Sequence, residues 1–290
     1  MQARDVSAPD ARSAWRPDCS CAAGAAAALR ELGLLLPELE PYQDEPPQMA
    51  SGAVGKMGYL RLQFDRDPAT GRTVLSDMDR RVPLLAQKAL YWDESQPDMA
   101  CVTTITTTGC VIQGDRLALD VRVGPEARAL VATQSATKVH CMEHNYASQL
   151  QTFTVEEDGY FEYMPDPLIL HRTARYLMDT RIVLPESATL LYGEVLMPGR
   201  KYHHRDELFG FHLFSSNITA AREPYGDPLF VERFVLEPGR MDFGKAGVMG
   251  PFEVFGNVIA LTPARHFDAL RDGIGADATP DLAWGATVLP

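Results

Sequence analysis

Residues 120–133 read DVRVGPEARALVAT: an alternating run, a Gly-Pro-Glu corner and a second apolar run. Just upstream, Leu117, Leu119, Val121 and Val123 share one side of the alternation, while Asp120 and Arg122 take the other. That period of two is the pattern of a strand with one buried face. Two later segments repeat the plan, TFTVEEDGYFEYMP at 152–165 and TRIVLPESATLLYGEV at 180–195. Each passes from a β-branched strand through a Pro, Glu, Asp or Gly corner into another apolar strand, with corners roughly 30 residues apart, a spacing expected of stacked repeats. The expected fold is mainly β, built of stacked β-hairpins or β-helix-like, solenoid-like coils, with one or two peripheral helices. A sandwich of unrelated hairpins would give a similar pattern.

Outward from these repeats the character of the chain changes. Residues 1–57 are rich in Ala, Pro, Asp and Glu, with a short helix predicted over Ala22 to Leu35 and the loop EPYQDEPPQMASGAVG after it. They read as a flexible N-terminal extension, followed by a β domain over 58–263 and a C-terminal tail over 264–290. The Ala-rich run CAAGAAAALRELGLLLPELEPY is cut by Arg30 and Glu31 and stopped by Pro37. It is too short and too charged for a membrane span or a signal peptide, so the expected location is the cytoplasm. Five cysteines, Cys19, Cys21, Cys101, Cys110 and Cys141, are odd in number and irregularly spaced, which suits free thiols.

The 290 residues carry 27 Lys and Arg against 39 Asp and Glu, a formal charge of -12. A polyanion binder needs clustered basic residues to release counterions, so nucleic acid and anionic membrane are not expected partners. The chain has no GxSxG elbow, P-loop, GxGxxG or HExxH. Nucleotide hydrolysis by this chain alone is not expected.

Two groups of residues invite a functional reading. His140, Cys141, Glu143 and His144 lie within five positions and offer N, S and O donors to a transition metal. On a helix, His140 and His144 would share a face. On a strand they would stand about 13 Å apart, too far for one ion. The alternative is a strand end and turn whose polar groups face water, and HHRDE at 203–207 is likewise read as an exposed loop. The second group is acidic. Glu194 sits inside the apolar run LLYGEVLMPG, and Asp115 follows Gly114 at the head of a strand. A carboxylate there is costly unless paired, bound to a cation or facing a polar cavity.

The segments GRTVLSDMDRRVPLLAQKALYW, TGCVIQGDRLALDVRVGPEARALVATQSATKVH, FEYMPDPLILHRTARY, LLYGEVLMPGRKYHHRDELFGF and PLFVERFVLEP follow in this order. Over roughly residues 58–263 the chain resembles the urease accessory protein family UreD, also called UreH. The resemblance implies a non-catalytic, predominantly β scaffold that assembles with UreF and the GTPase UreG on apo-urease. Nickel would be a cargo in transit rather than a tightly bound cofactor, UreF a direct partner and UreG one reached through UreF. Matched residue by residue, Gly114 and Asp115 correspond to the family's GD, and Thr133, Gln134, Thr137 and Lys138 to its T-Q…T-K. Glu194, Gly199 and Arg200 correspond to its E…GR. The resemblance makes Asp115 and Glu194 candidates for a nickel passage. His140, Cys141 and His144 remain a weaker candidate metal site. Two other classes stay open, a small all-β metalloenzyme and a nickel-storing metallochaperone. The chain departs from the family pattern in having fewer glycines in TTTGCVIQGD, an extra N-terminal stretch and a C-terminal end that is expected to be short.

Overall fold

The alternating segments do become strands, and their long-range register decides the architecture. The computed structural model describes residues 22–44, 55–224, 226–246 and 248–289. In chain order the strands are β1 (Met57–Arg66), β2 (Thr73–Arg81), β3 (Leu84–Ala86), β4 (Ala100–Thr106), β5 (Arg116–Val123), β6 (Arg128–Thr133) and β7 (Thr137–Val139). They continue with β8 (Ala147–Val155), β9 (Tyr160–Tyr163), β10 (Leu168–Leu170), β11 (Arg175–Val183), β12 (Thr189–Met197), β13 (Leu213–Ala221), β14 (Pro228–Leu236) and β15 (Phe255–Leu261). Helix α1 covers Ala22–Glu31 and α2 Phe267–Ile274.

Among the described residues one sheet runs β14-β13-β11-β8-β5-β1-β2, and a second runs β3-β4-β6-β9-β12-β10-β7 with β15 on β12. The strands flanking each corner belong to different sheets. β5, β8 and β11 pair in parallel in the first sheet, and β6, β9 and β12 in parallel in the second. Each corner therefore turns the chain from one sheet to the other instead of closing a hairpin, an arrangement compatible with the solenoid-like expectation. The corners stack as well. Ala127, Gly159 and Ala188 each donate a backbone bond three residues back, to Gly124, Glu156 and Pro185. Tyr160 N then bonds Ala127 O, and Thr189 N bonds Gly159 O. At the middle corner even a methyl group is crowded: a Cβ on Gly159 would stand 2.8 Å from Val155 Cγ1 and 3.0 Å from Glu156 O.

The inward faces make the core. Leu117, Leu119, Val121 and Val123 are all buried, as the alternation predicts, and Phe153 of β8 packs on Phe161 and Tyr163 of β9 with centroids 5.3 and 4.8 Å apart. At the far end the last strands of the two sheets meet, Phe234 of β14 lying edge-on to Phe255 of β15 at 5.9 Å.

The N-terminal stretch contributes to packing where it is described. Ala25 and Leu29 of α1 are buried against Tyr59, Ala118 and Leu150 on the outer face of the first sheet. The helix ends at Glu31, short of the expected Leu35, because Gly33 adopts φ +88, a left-handed conformation that terminates helices. Leu39 continues the cover over Tyr146, Leu177 and Leu213. Glu38 pairs with Arg233 at 2.7 Å. Cys19 and Cys21 lie outside the described residues. Among the described residues no helix is long and apolar enough to cross a membrane.

Candidate functional site

Most inward positions are apolar, so the polar ones stand out. Gln149 and Gln151 of β8, Thr180 of β11, Glu194 of β12, Glu232 of β14 and Asn257 of β15 all fall on the core-facing parity of their strands. Between the sheets lies a cavity of about 70 Å³, lined by Gln149, Gln151, Tyr163, Asp166, Tyr176 and Glu194 among Leu, Val, Phe and Thr side chains. That is room for a few water-sized groups.

The polar lining is organised by hydrogen bonds. Gln151 donates through Nε2 to the Tyr163 hydroxyl (2.8 Å) and accepts from Thr180 Oγ1 (2.8 Å), while the Tyr176 hydroxyl donates to Gln149 Oε1 (2.7 Å). Burial, foremost, pushes the Tyr163 and Tyr176 hydroxyls upward, so both stay protonated. Asp166 is anchored at the rim, its backbone N–H donating to Thr133 Oγ1 at 2.9 Å.

Glu194 is the buried carboxylate of this cavity, Asp166 standing exposed at its rim. Glu194 is 9% exposed, and its oxygens accept from Tyr192 OH (3.5 Å) and Asn257 Nδ2 (3.3 Å). Asn257 Nδ2 also donates to Glu232 Oε1 at 2.7 Å, so one amide links two carboxylates. Among the described residues Glu194 has no lysine or arginine partner. Burial raises its pKa to about 7, with Glu232 adding and the Asn257 bond opposing. A nearby cation would reverse that shift by favouring the ionised form.

Asp115 is placed differently. It is wholly buried but does not line the cavity. Its carboxylate accepts from Lys56 N (2.7 Å) and Ile112 N (3.0 Å), fixing the turn in which Gly114 takes φ +78. Burial raises its pKa, and the two amides oppose that rise. The E…GR block splits between roles. Gly199 has φ +102, and a Cβ there would stand 2.2 Å from Glu207 O. Arg200 pairs with Glu207 at 2.6 Å, and Glu207 also accepts from Arg172 N at 3.1 Å. Burial would raise the Glu207 carboxyl, but Arg200 and the Arg172 amide outweigh it and hold the carboxyl below its usual value. This block ties the 198–210 loop to the end of β10.

In the T-Q…T-K block, Thr133 and Thr137 line the cavity while Gln134 and Lys138 are exposed. The neighbouring histidines separate. Residues 140–145 form neither helix nor strand. His144 Nδ1 lies 2.6 Å from Asp44 Oδ2, whereas Cys141 Sγ lies 3.3 Å from His140 Nδ1. Among the described residues no three His, Cys, Asp or Glu side chains already converge as a metal centre. Sequence reading missed Gln149, Gln151, Glu232, Asn257 and His171. For the first four the signal was present, as polar residues on the inward parity of apolar strands.

Comparison with known proteins bears on this arrangement. The family profile described as UreD urease accessory protein matches residues 56–290. Over 266 residues the chain is 54% identical to the urease accessory protein UreD of Yersinia enterocolitica, covering 89% of this chain and 81% of that protein. A Yersinia pseudotuberculosis protein of the same name is 56% identical over 261 residues, covering 89% and 80%. One from Photorhabdus laumondii is 54% identical over the same length, with the same coverage.

Proposed function

Because the chain belongs to the UreD urease accessory protein family, we propose that it is a non-catalytic maturation factor that passes nickel to apo-urease through the cavity between its sheets. UreF binds it directly, UreG joins through UreF, and GTP hydrolysis is left to UreG. The complex works in the cytoplasm, and the nickel is cargo in transit.

The observation that carries this reading is Glu194, a buried carboxylate facing a polar cavity with no basic partner among the described residues. Retaining such a group against its desolvation cost calls for a function. Oxygen donors suit hard cations better than they suit nickel, which imidazole and thiolate hold more firmly. A passage lined by the carboxylates of Glu194 and, at its rim, Asp166, with amides and hydroxyls between, would therefore attract a divalent cation without trapping it. The Glu194 pKa near 7 keeps the charge available at neutral pH without fixing it in place.

The test is co-expression of urease with UreF and UreG, with and without this chain. The expected outcome is nickel-loaded, active urease only when the chain is present, together with its recovery in a complex with UreF. The purified chain should hydrolyse neither GTP nor urea. Full nickel loading of urease without the chain would overturn the reading.

A further inference from the structure

His171 is 5% exposed, and neither ring nitrogen has a hydrogen-bond partner. A buried polar group left unpaired costs stability, so this ring invites a partner. Its neighbour is His140, with ring centroids 5.2 Å apart and planes tilted by 54°. The fold creates this adjacency: β7 and β10 pair in parallel with Val139 opposite Leu170, which sets the next residues, His140 and His171, side by side. Cys141 supplies a third donor, its Sγ 3.3 Å from His140 Nδ1.

These spacings can be compared with those around an ion. Metal–nitrogen and metal–sulfur distances of about 2.0 and 2.3 Å, in a tetrahedral arrangement, put two imidazole centres about 5 Å apart and sulfur about 3.5 Å from nitrogen. The observed separations are close to both. His171 is fixed by burial, while His140 and Cys141 are exposed and can turn toward it. The charge of Arg200, which acts on both His171 and Cys141, is balanced by its ion pair with Glu207.

We propose that His140, Cys141 and His171 form a surface-accessible, labile site for a borderline divalent transition metal such as Ni²⁺ or Zn²⁺. Nitrogen and thiolate donors select this class over Mg²⁺ or Ca²⁺. Only one of the three donors is held rigidly, so the ion exchanges readily. His144 takes no part, being engaged by Asp44. The site does not depend on the passage between the sheets or on urease, so metal binding by the chain alone tests it separately from nickel loading of urease.

The experiment titrates the full-length chain, carrying Cys19→Ser, Cys21→Ser and Cys110→Ser to remove competing thiols, the last being half-buried and close to Cys141, with Ni²⁺ alone and with Co²⁺ as a spectroscopic probe. One saturable equivalent with thiolate-to-metal charge-transfer absorption is expected. Cys141→Ser should abolish that absorption, and His140→Asn and His171→Asn should each weaken affinity roughly tenfold or more. His144→Ala should bind as the parent does. Thermal melts check the fold of each variant, and the exposed positions of His140 and Cys141 keep the test decisive if His171→Asn unfolds. Absence of saturable binding, absorption that survives Cys141→Ser, or a loss in His144→Ala equal to that in His140→Asn would overturn the proposal.

Discussion

His144 Nδ1 stands 2.6 Å from Asp44 Oδ2, and Asn145 N donates to the other oxygen of the same carboxylate at 2.8 Å. The second histidine of the HCMEH stretch thus fastens the N-terminal strap, residues 32–44, to the body. The Asn145 amide, foremost, and His144 hold the Asp44 carboxyl below its usual value. A lowered carboxyl contributes stability that is present above the unfolded pKa, about 4, and is lost as pH falls through the folded value. Protease cleavage within the strap should therefore rise only in acid for the parent protein. In Asp44→Asn it should already be faster at neutral pH. Limited proteolysis with mass spectrometry would check this, and equal cleavage of both proteins at neutral pH would contradict it.

Asp115 is assigned a structural role, because its oxygens are occupied by the Lys56 and Ile112 amides. Asp115→Ala leaves these donors without their acceptors and should cost about 1–3 kcal/mol, read as a lower urea midpoint. Wherever the variant remains folded, urease nickel content should be normal. A nickel defect at unchanged stability would place Asp115 in the passage after all.

Glu194 gives a stability signature of the opposite sign. Its pKa of about 7 in the folded chain exceeds the unfolded value of about 4.3. Folding then favours the protonated form, and stability is lost as pH rises from the unfolded value through the folded one. Glu194→Gln should remove this loss, making the variant more stable than the parent at pH 8 and similar to it near pH 4. Chemical denaturation at both pH values would show it, and parallel behaviour of the two proteins would argue against a desolvated carboxyl.

Gly199 offers a steric test. Its φ is +102, and a Cβ added there would come within 2.2 Å of Glu207 O, so Gly199→Ala must displace the 198–210 loop. A cost of about 2 kcal/mol or more is expected from strain and clash together, along with faster amide exchange at Arg172, whose N–H bonds Glu207. Unchanged exchange there would show that the loop adapts elsewhere.

The sequence made some of this legible because local pattern carries it. The inward face of β5 and the three corners follow from alternation and turn residues alone. The inward glutamines of β8 were equally visible, since Gln149 and Gln151 share parity with Phe153 and Val155 in ASQLQTFTV. Long-range register was not visible. His171 follows an ordinary apolar LIL, and only the pairing of Leu170 with Val139 brings it beside His140. The docking of α1 was hidden for a related reason. Its Ala-rich composition reads as an appendage, whereas its footing consists of Tyr59, Ala118 and Leu150, apolar residues on the outward parity of three strands distant in sequence.

In the proposed role, the charge of Glu194 helps move nickel between the sheets. This role is tested most directly by measuring the nickel content of urease matured with UreF, UreG and either the parent chain or Glu194→Gln, alongside recovery of the assembled complex. The expected result is an intact complex with the variant, urease nickel reduced severalfold at limiting nickel, and partial recovery when nickel is raised. Normal nickel content at limiting nickel, with the complex intact, would contradict it.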